Sequence, residues 1–186
     1  MSLRTGSPHL GQPARVVRSP AHPNGLPSRR QHRRDGVTHN DPPTDGPLTA
    51  ALARDDAVWA REHLERDVVA WLTTVAPDGR VQSSLISFLH DGADLFFYSQ
   101  PDTPKLRNIA HSPLVSFHLQ SDPYGDHSLI IEGTAVIDAT IPPLDAHELY
   151  RAKYREPHAH WGLDFTQTAR DFSVPIRIQP TRVRLG

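Results

Sequence analysis

Two Asp-Gly pairs that lie close together constrain the fold of this chain more than any other feature. They are Asp78-Gly79 and Asp91-Gly92, and each separates two runs in which apolar and polar residues alternate. Asp-Gly between such runs is a strong hairpin signal, because a type I′ turn needs a positive φ at both central residues. The sequence therefore predicts a three-stranded antiparallel meander, whose middle strand runs from Val81 to Leu89.

A short helix is predicted directly after the meander. Asp102 or Thr103 can cap it, and Pro104 suits the first helical position, where a missing N–H is no loss. Lys105 then falls in the first turn, where a cation opposes the helix dipole. An anion bound between Lys105, Ser99 and the free N–H groups would remove that conflict. The alternative is an ordinary solvated lysine on a surface helix.

The rest of the chain predicts a small barrel rather than a parallel sheet. With the meander, the predicted strands number six, and the βαβ alternation of parallel sheets is absent. Gly133 is predicted to form a bulge or a close approach within its strand. The remaining elements are strands after Pro113, over His127–Ala139 and over Ser173–Leu185, helices over Leu48–His63 and Pro142–Tyr154, and a loop over Glu156–Phe172 that can contain one short helix.

The first 47 residues differ in composition from the rest of the chain. They hold eight of the eighteen prolines and a cluster of four arginines between Arg29 and Arg34. Such composition does not bury enough apolar surface to offset the entropy of ordering. We interpret residues 1–47 as an extension that is disordered or results from a start site assigned too early. A basic tail that touches nucleic acid is the alternative. Residues 48–186 form the predicted domain.

Overall charge and composition exclude several classes of function. The formal net charge is −1, so nothing global points to nucleic acid or to a membrane surface. No cysteine is present, which excludes disulfides and thiolate metal sites. Neither a secretory signal nor an apolar run of membrane-spanning length is apparent. A cytoplasmic location is the default expectation.

The order of several segments resembles a known superfamily. WLTTVAPDGR, LFFYSQPDTPKLRNI and IEGTA follow one another between residues 71 and 135, and SVPIRIQPTRVR closes the chain. This order is similar to the pyridoxamine-phosphate-oxidase-like split β-barrel superfamily, and within it to oxidoreductases that use the deazaflavin coenzyme F420. The resemblance implies a mainly β (α+β) fold, a six-stranded antiparallel split barrel with peripheral helices. It also implies a homodimer with the cofactor at its interface.

The resemblance implies a set of cofactor-binding residues. On the phosphate side these are Ser99, Lys105 and Asn108, and against the ring system they are Gln82, Ser84, Leu85 and Ile86. The implied activity is hydride transfer from coenzyme F420 to a small unsaturated or carbonyl-type substrate. Two alternatives stay open, an FMN-dependent enzyme of the same fold and a non-catalytic protein that binds flavin, deazaflavin or haem.

Three positions depart from the pattern of the superfamily. Leu85 stands where a proline is common, and Ser87 and His90 stand where aromatic residues are common. We expect these changes to widen or wet the ring pocket. No metal site is predicted, because the spacing of His158 and His160 matches no common helix-borne site. Both are expected to be surface loop histidines, and His90 is expected to have a capping or solvated role.

Overall fold

The structure, a computed structural model, describes residues 46–186. The predicted extension over residues 1–47 therefore lies almost entirely outside the described residues. Seven antiparallel strands form one sheet in the order β2-β1-β5-β6-β7-β4-β3. The strands are β1 Ala70–Val75, β2 Val81–Ile86, β3 Leu89–His90, β4 Leu95–Ser99, β5 Leu114–His118, β6 Leu129–Ile137 and β7 Val174–Leu185.

The two edges of this sheet meet at a corner. β2 and β3 are the two edge strands, yet only Ser87 and Phe88 separate them in the chain. Three Cα steps span no more than about 11 Å, so the sheet must roll until its edges lie side by side. No pairing joins β2 to β3 within residues 46–186. The predicted class, a split antiparallel barrel, is confirmed.

The predicted meander is wrong, although both of its turns are present. β1 pairs with β2 and β3 pairs with β4, so each Asp-Gly pair does join two antiparallel strands. The predicted middle strand over residues 81–89 breaks at the corner, and its two halves belong to opposite edges. This break raises the number of strands from the predicted six to seven.

The predicted type I′ geometry is also wrong. Gly79 has φ +83°, but Asp78 keeps a negative φ. The turn begins earlier than predicted, since the Gly79 N–H donates to the Ala76 carbonyl at 2.8 Å. Pro77 occupies the second position of this turn and fixes φ near −65°, which a type I′ turn does not allow.

Five helices surround the sheet, and two of the predicted helices have a different extent in the structure. The predicted helix over 48–63 is divided by a 3-10 turn at Asp55–Ala57, and the one predicted over 142–154 begins only at Glu148. That helix then continues through Pro157 into the predicted loop, because residues on both sides of the proline are buried. The helices are α1 Pro47–Leu52, α2 Val58–Arg66, α3 Pro104–His111, α4 Glu148–Trp161 and α5 Phe165–Asp171.

The apolar core has two parts, one on each face of β4. The larger part fills the barrel and packs against α1, α2 and α3. The smaller part lies outside the barrel, where Phe96 and Tyr98 of β4 meet Tyr150 and Tyr154 of α4. All five residues of β4 are buried, because the strand is covered on both faces. The outer part of the core fixes α4 against the barrel.

The predicted bulge at Gly133 is present. The register between β6 and β7 shifts between Glu132 and Gly133. A Cβ atom added to Gly133 would lie 2.5 Å from the backbone oxygen of Gln179, so the two strands approach too closely for any side chain.

Tyr154 of α4 holds the corner between β2 and β3. Its hydroxyl accepts a hydrogen bond from the Phe88 N–H at 2.7 Å, and lies 2.8 Å from the Val68 carbonyl. Lys153 adds to this contact, because its Nζ lies 3.8 Å from the centre of the Phe88 ring and donates to the Leu64 carbonyl. Buried backbone groups of the corner are thus satisfied by a side chain instead of a strand.

We predict that Tyr154→Phe lowers the free energy of unfolding by about 2 kcal/mol, since it leaves the buried Phe88 N–H without an acceptor. Urea unfolding measures the change. Tyr124→Phe is the matched control, because Tyr124 is 89% exposed, and its effect should stay within about 0.5 kcal/mol. Equal stability of the two variants would contradict the role of the Tyr154 hydroxyl.

Candidate functional site

A polar cleft of about 360 Å³ lies between the edge strand β2 and the start of α3. It is lined by Thr74, Gln82, Ser83, Ser84, Pro104 and Lys105. Lys105 is the single charged side chain in this set, and the other polar side chains are neutral hydroxyl or amide groups. The cleft therefore offers one cation and several neutral hydrogen-bonding groups.

Lys105 stands in the first turn of α3, as predicted. Burial lowers the pKa of its ammonium group, and no ion pair in residues 46–186 involves it. The N–H groups of Leu106 and Arg107 both donate to the Thr103 carbonyl. Within the first turn, the amide of Lys105 itself is thus left for a ligand, since Pro104 has none. A half-buried cation beside a helix N-terminus is suited to an anion.

Two of the predicted phosphate residues, Asn108 and Ser99, do not line the cleft. Asn108 is 3% exposed, and its Nδ2 donates to Thr74 Oγ1 at 2.9 Å and to Gln82 Oε1 at 2.8 Å. This contact occupies the Gln82 oxygen and leaves the Gln82 amide hydrogens free to donate. Ser99 is 1% exposed, and its Oγ lies 3.0 Å from Thr103 Oγ1. Both residues are positioned to support the cleft wall and the start of α3.

A second, mainly apolar cavity adjoins the polar cleft. It measures about 280 Å³ and lies between the end of β2 and the helices α4 and α5. Leu85 and Ile86, two of the residues predicted to lie against a ring system, line this cavity rather than the cleft. Lys105 lines both spaces, so it marks the boundary between them. The remaining lining residues are Val69, Ser87, Tyr98, Leu144, Tyr150, His158, Trp161, Leu163, Thr168 and Phe172.

The contribution of α4 and α5 to this cavity was not predicted from the sequence. His158 was predicted to be a surface loop residue, which is wrong: it lies in α4 and is 2% exposed. The signal that could have found it is the spacing of Tyr150, Tyr154 and His158, which share one face of a helix. Because a proline inside a helix is unfavourable, Pro157 led to the prediction that the helix ends before His158.

Two of the three departures from the superfamily pattern border the cavity. Leu85 and Ser87 line it, whereas His90 does not. The expected capping or solvated role of His90 is wrong, since its side chain is only 11% exposed. Its Nε2 lies 3.1 Å from Oε1 of Glu65, and burial lowers the pKa of the imidazole.

Neither a metal centre nor a membrane helix is found in residues 46–186. That part of the chain contains no group of three or more His, Asp or Glu residues placed to hold a metal ion. None of its helices has the length and the apolar character needed to cross a membrane.

Comparison with protein families assigns this fold. The family model for pyridoxamine 5'-phosphate oxidase matches residues 59–185, which include every strand and the residues of both spaces. The chain belongs to the pyridoxamine 5'-phosphate oxidase family. A search of curated protein sequences found no significant match.

Solved structures of similar fold come from proteins with different descriptions. An F420 reductase is 28% identical over 67% of this chain and 94% of its own, with a TM-score of 0.50. HutZ, the haem storage protein from Vibrio cholerae, is 18% identical over 68% of this chain and 92% of its own, with a TM-score of 0.51. A conserved hypothetical protein from Mycobacterium tuberculosis is 22% identical over 71% of this chain and 87% of its own, with a TM-score of 0.55. The latter two likenesses show the fold alone.

We predict that Lys105→Met leaves this family member as stable as the wild type at pH 7, or more stable, because it removes a desolvated charge without a counter-ion. The folded-state pKa of Lys105 lies below the unfolded value of about 10.4. At pH values between these two pKa values, the unfolded state therefore binds more protons than the folded state. The free energy of unfolding of the wild type should therefore rise as the pH rises between these two pKa values. The difference in stability between Lys105→Met and the wild type should shrink over the same range.

Urea unfolding at several pH values measures both effects. Arg107→Met is the control, because Arg107 is exposed and donates to the Asp102 carbonyl. A loss of more than about 1 kcal/mol in Lys105→Met at pH 7 would mean that the ammonium has a stabilising partner.

Proposed function

We propose that this protein is an oxidoreductase that binds the deazaflavin coenzyme F420, with its phosphate in the polar cleft. The observation that carries the proposal is Lys105, a half-buried cation without a counter-ion in a cleft otherwise lined by neutral groups. A bound anion would offset the desolvation of the ammonium and accept hydrogen bonds from Lys105 and from the Gln82 amide. This proposal moves Gln82 from the ring side, where the resemblance placed it, to the phosphate side. The residues present thus fit a phosphate group.

The charge of the cleft favours a phosphodiester over a phosphomonoester. Coenzyme F420 carries a phosphodiester with one negative charge, which a single lysine neutralises. The terminal phosphate of FMN carries about −1.5 to −2 at pH 7 and would need a second cation. Arg107 is the nearest in sequence, but its guanidinium donates to the Asp102 carbonyl on the exposed side of α3. The likeness to an F420 reductase agrees with this choice.

The position of β2 suits a planar ring system. β2 is an edge strand, so the backbone groups on its free side have no partner strand within residues 46–186. Such groups can hydrogen-bond the polar edge of a heterocycle, while the side chain of Ser84 lines the cleft and those of Leu85 and Ile86 line the adjoining cavity. When bound, the reduced deazaflavin would supply a hydride, and the chain would bind and orient it beside a small unsaturated or carbonyl-type substrate.

FMN is the second candidate cofactor, because the family model that matches is that of an oxidase. Both candidates predict an occupied cleft, but they differ in charge and therefore in affinity. A protein that binds either cofactor and transfers no hydride to any substrate would instead be a binding protein.

Titration of the full-length protein with oxidised coenzyme F420 and with FMN, followed by fluorescence, tests the proposal. We expect tighter binding of coenzyme F420. Lys105→Met should weaken it by roughly ten- to a hundredfold, the effect of losing a charge-assisted hydrogen bond. Arg107→Met, on the same helix but turned away, should bind like the wild type. Tighter binding of FMN, or unchanged affinity in Lys105→Met, would contradict the proposal.

We also propose that two copies of the chain associate through the outer face of β2, β1, β5 and β6. Val81 is 69% exposed and Leu114 is 64% exposed, although outward positions of a barrel are usually polar. The register pairs Val81 with Val75, and its continuation brings Val75 beside Leu114. This row forms an apolar face that borders the polar cleft, and such faces commonly mark interfaces. A cofactor in the cleft would then lie near the interface.

Light scattering on the eluted protein measures this association. The wild type should have twice the chain mass of 20.7 kDa, and Leu114→Glu should shift it to a single chain. Leu149→Glu is the matched control, because Leu149 is 53% exposed but lies on α4, away from this face. A monomeric wild type at micromolar concentration would contradict the proposal.

A further inference from the structure

The corner between β2 and β3 is covered by titratable side chains that the proposed function does not use. His90 ends β3 just after the corner, Glu65 lies near the end of α2, and Lys153 lies on α4. The charges of Glu65 and Lys153 both act on the His90 imidazole. Three elements thus meet at one histidine, beside the contact that ties α4 to the barrel.

The surroundings of His90 favour its neutral form. Both ring nitrogens are buried, and within residues 46–186 neither has a hydrogen-bond partner of favourable geometry. Glu65 Oε1 lies 3.1 Å from Nε2, but the Glu65 side chain is 76% exposed, so this pair offsets little of the cost of burying a charge. Asp91 is also exposed, and its carboxylate accepts hydrogen bonds from its own turn. Burial therefore lowers the pKa of His90 below its ordinary value.

Lys153 is a cation that opposes a second positive charge at the corner. Its Nζ lies 3.8 Å from the centre of the Phe88 ring and donates to a carbonyl group of α2, so the ammonium is held against the corner. Burial lowers its pKa to about 8, although the charges of Glu65 and Asp67 act in the opposite direction. Lys153 therefore stays protonated in neutral and acid solution. A protonated His90 would share a poorly solvated site with this ammonium, and the two charges would repel each other.

The histidine at position 90 is a feature of this chain rather than of the superfamily pattern. Aromatic residues are common at this position, and an aromatic ring fills a buried site without binding a proton. An imidazole fills the same site but gains a charge as the pH falls. Any response of the corner to acid through this position therefore comes from the change to His90.

We propose that the contact between α4 and the corner depends on pH, and that protonation of His90 releases α4 from Phe88 and opens the apolar cavity. In the released state His90 is in water and binds a proton near its ordinary pKa of about 6.5, whereas in the closed corner its pKa is lower. The released state thus binds more protons, and its population rises as the pH falls from about 6.5 towards the lower pKa. Because Tyr150 of α4 lines the cavity, movement of the helix changes the cavity wall.

Hydrogen exchange of the Phe88 amide in the full-length protein tests this inference. The Phe88 N–H donates to the Tyr154 hydroxyl at 2.7 Å, so its exchange reports the release of α4. We expect its protection factor, corrected for the intrinsic pH dependence of exchange, to fall several-fold from pH 7 to pH 5. A pKa of about 6.5 in the released state limits the fall to about 25-fold. Amides of the β5–β6 ladder should keep their protection, which distinguishes local release from global unfolding.

Three variants separate the titration of His90 from other effects of acid. His90→Phe fills the site with a ring that binds no proton, so the protection of the Phe88 amide should change by less than about twofold over the same pH range. Glu65→Gln removes the carboxylate beside the imidazolium, so the fall should be at least as large as in the wild type. His160→Phe is the matched control, because it changes an exposed histidine of α4, and it should behave like the wild type.

Two further imidazoles belong to α4, and the variants distinguish them from His90. His147 caps the helix and His158 lies within it, and burial lowers the pKa of each. An equal fall in the wild type and in His90→Phe would assign the release to one of these and overturn the inference. Constant protection in the wild type would also overturn it. If His90→Phe does not fold, Glu65→Gln decides, because a smaller fall than in the wild type contradicts the role of His90.

Discussion

The corner between β2 and β3 is the constraint on which the rest of the structure depends. Two residues join the opposite edges of one sheet, so the sheet must close, although no backbone ladder crosses the corner within residues 46–186. Tyr154 supplies the missing acceptor for Phe88, and in doing so ties α4 to the barrel. Because α4 also carries Tyr150 and His158, the contact that closes the barrel positions a wall of the apolar cavity.

Each of the two open spaces combines polar groups that are bonded to neighbours with one that is not. In the polar cleft, Asn108 and Ser99 are buried and bonded to neighbouring groups, while Lys105 keeps a charge without a counter-ion. In the apolar cavity the same contrast recurs, with Tyr98 bonded and His158 unpaired. Groups left unsatisfied in a well-packed protein lower its stability, so they are expected where a ligand completes the site.

Local signals in the sequence predicted local structure well. The Asp-Gly pairs located both hairpins, Pro104 located the start of α3, and Gly133 located the bulge, because each depends on the backbone preferences of one or two residues. The family resemblance predicted the barrel. Whether the predicted cofactor residues contact a cofactor stays a prediction.

Features that depend on distant contacts were not predictable from the sequence. The break in the strand over residues 81–89 follows from barrel closure and from Tyr154, which lies 66 residues beyond Phe88. Helix α4 passes Pro157 because tertiary packing overrides local propensity, and this concealed the burial of His158. The type I′ turn predicted at Asp78-Gly79 is absent for a local reason, because Pro77 fixes a negative φ at the second position of the turn.

The central claim is that Lys105 and the cleft beside it hold the phosphate of a deazaflavin. A crystal structure of the full-length protein with oxidised coenzyme F420 tests it most directly. We predict a phosphate oxygen within hydrogen-bonding distance of Lys105 Nζ and of the Gln82 amide, with the ring system along β2. A cofactor bound elsewhere, or a cleft in which Lys105 turns to solvent, would contradict the claim.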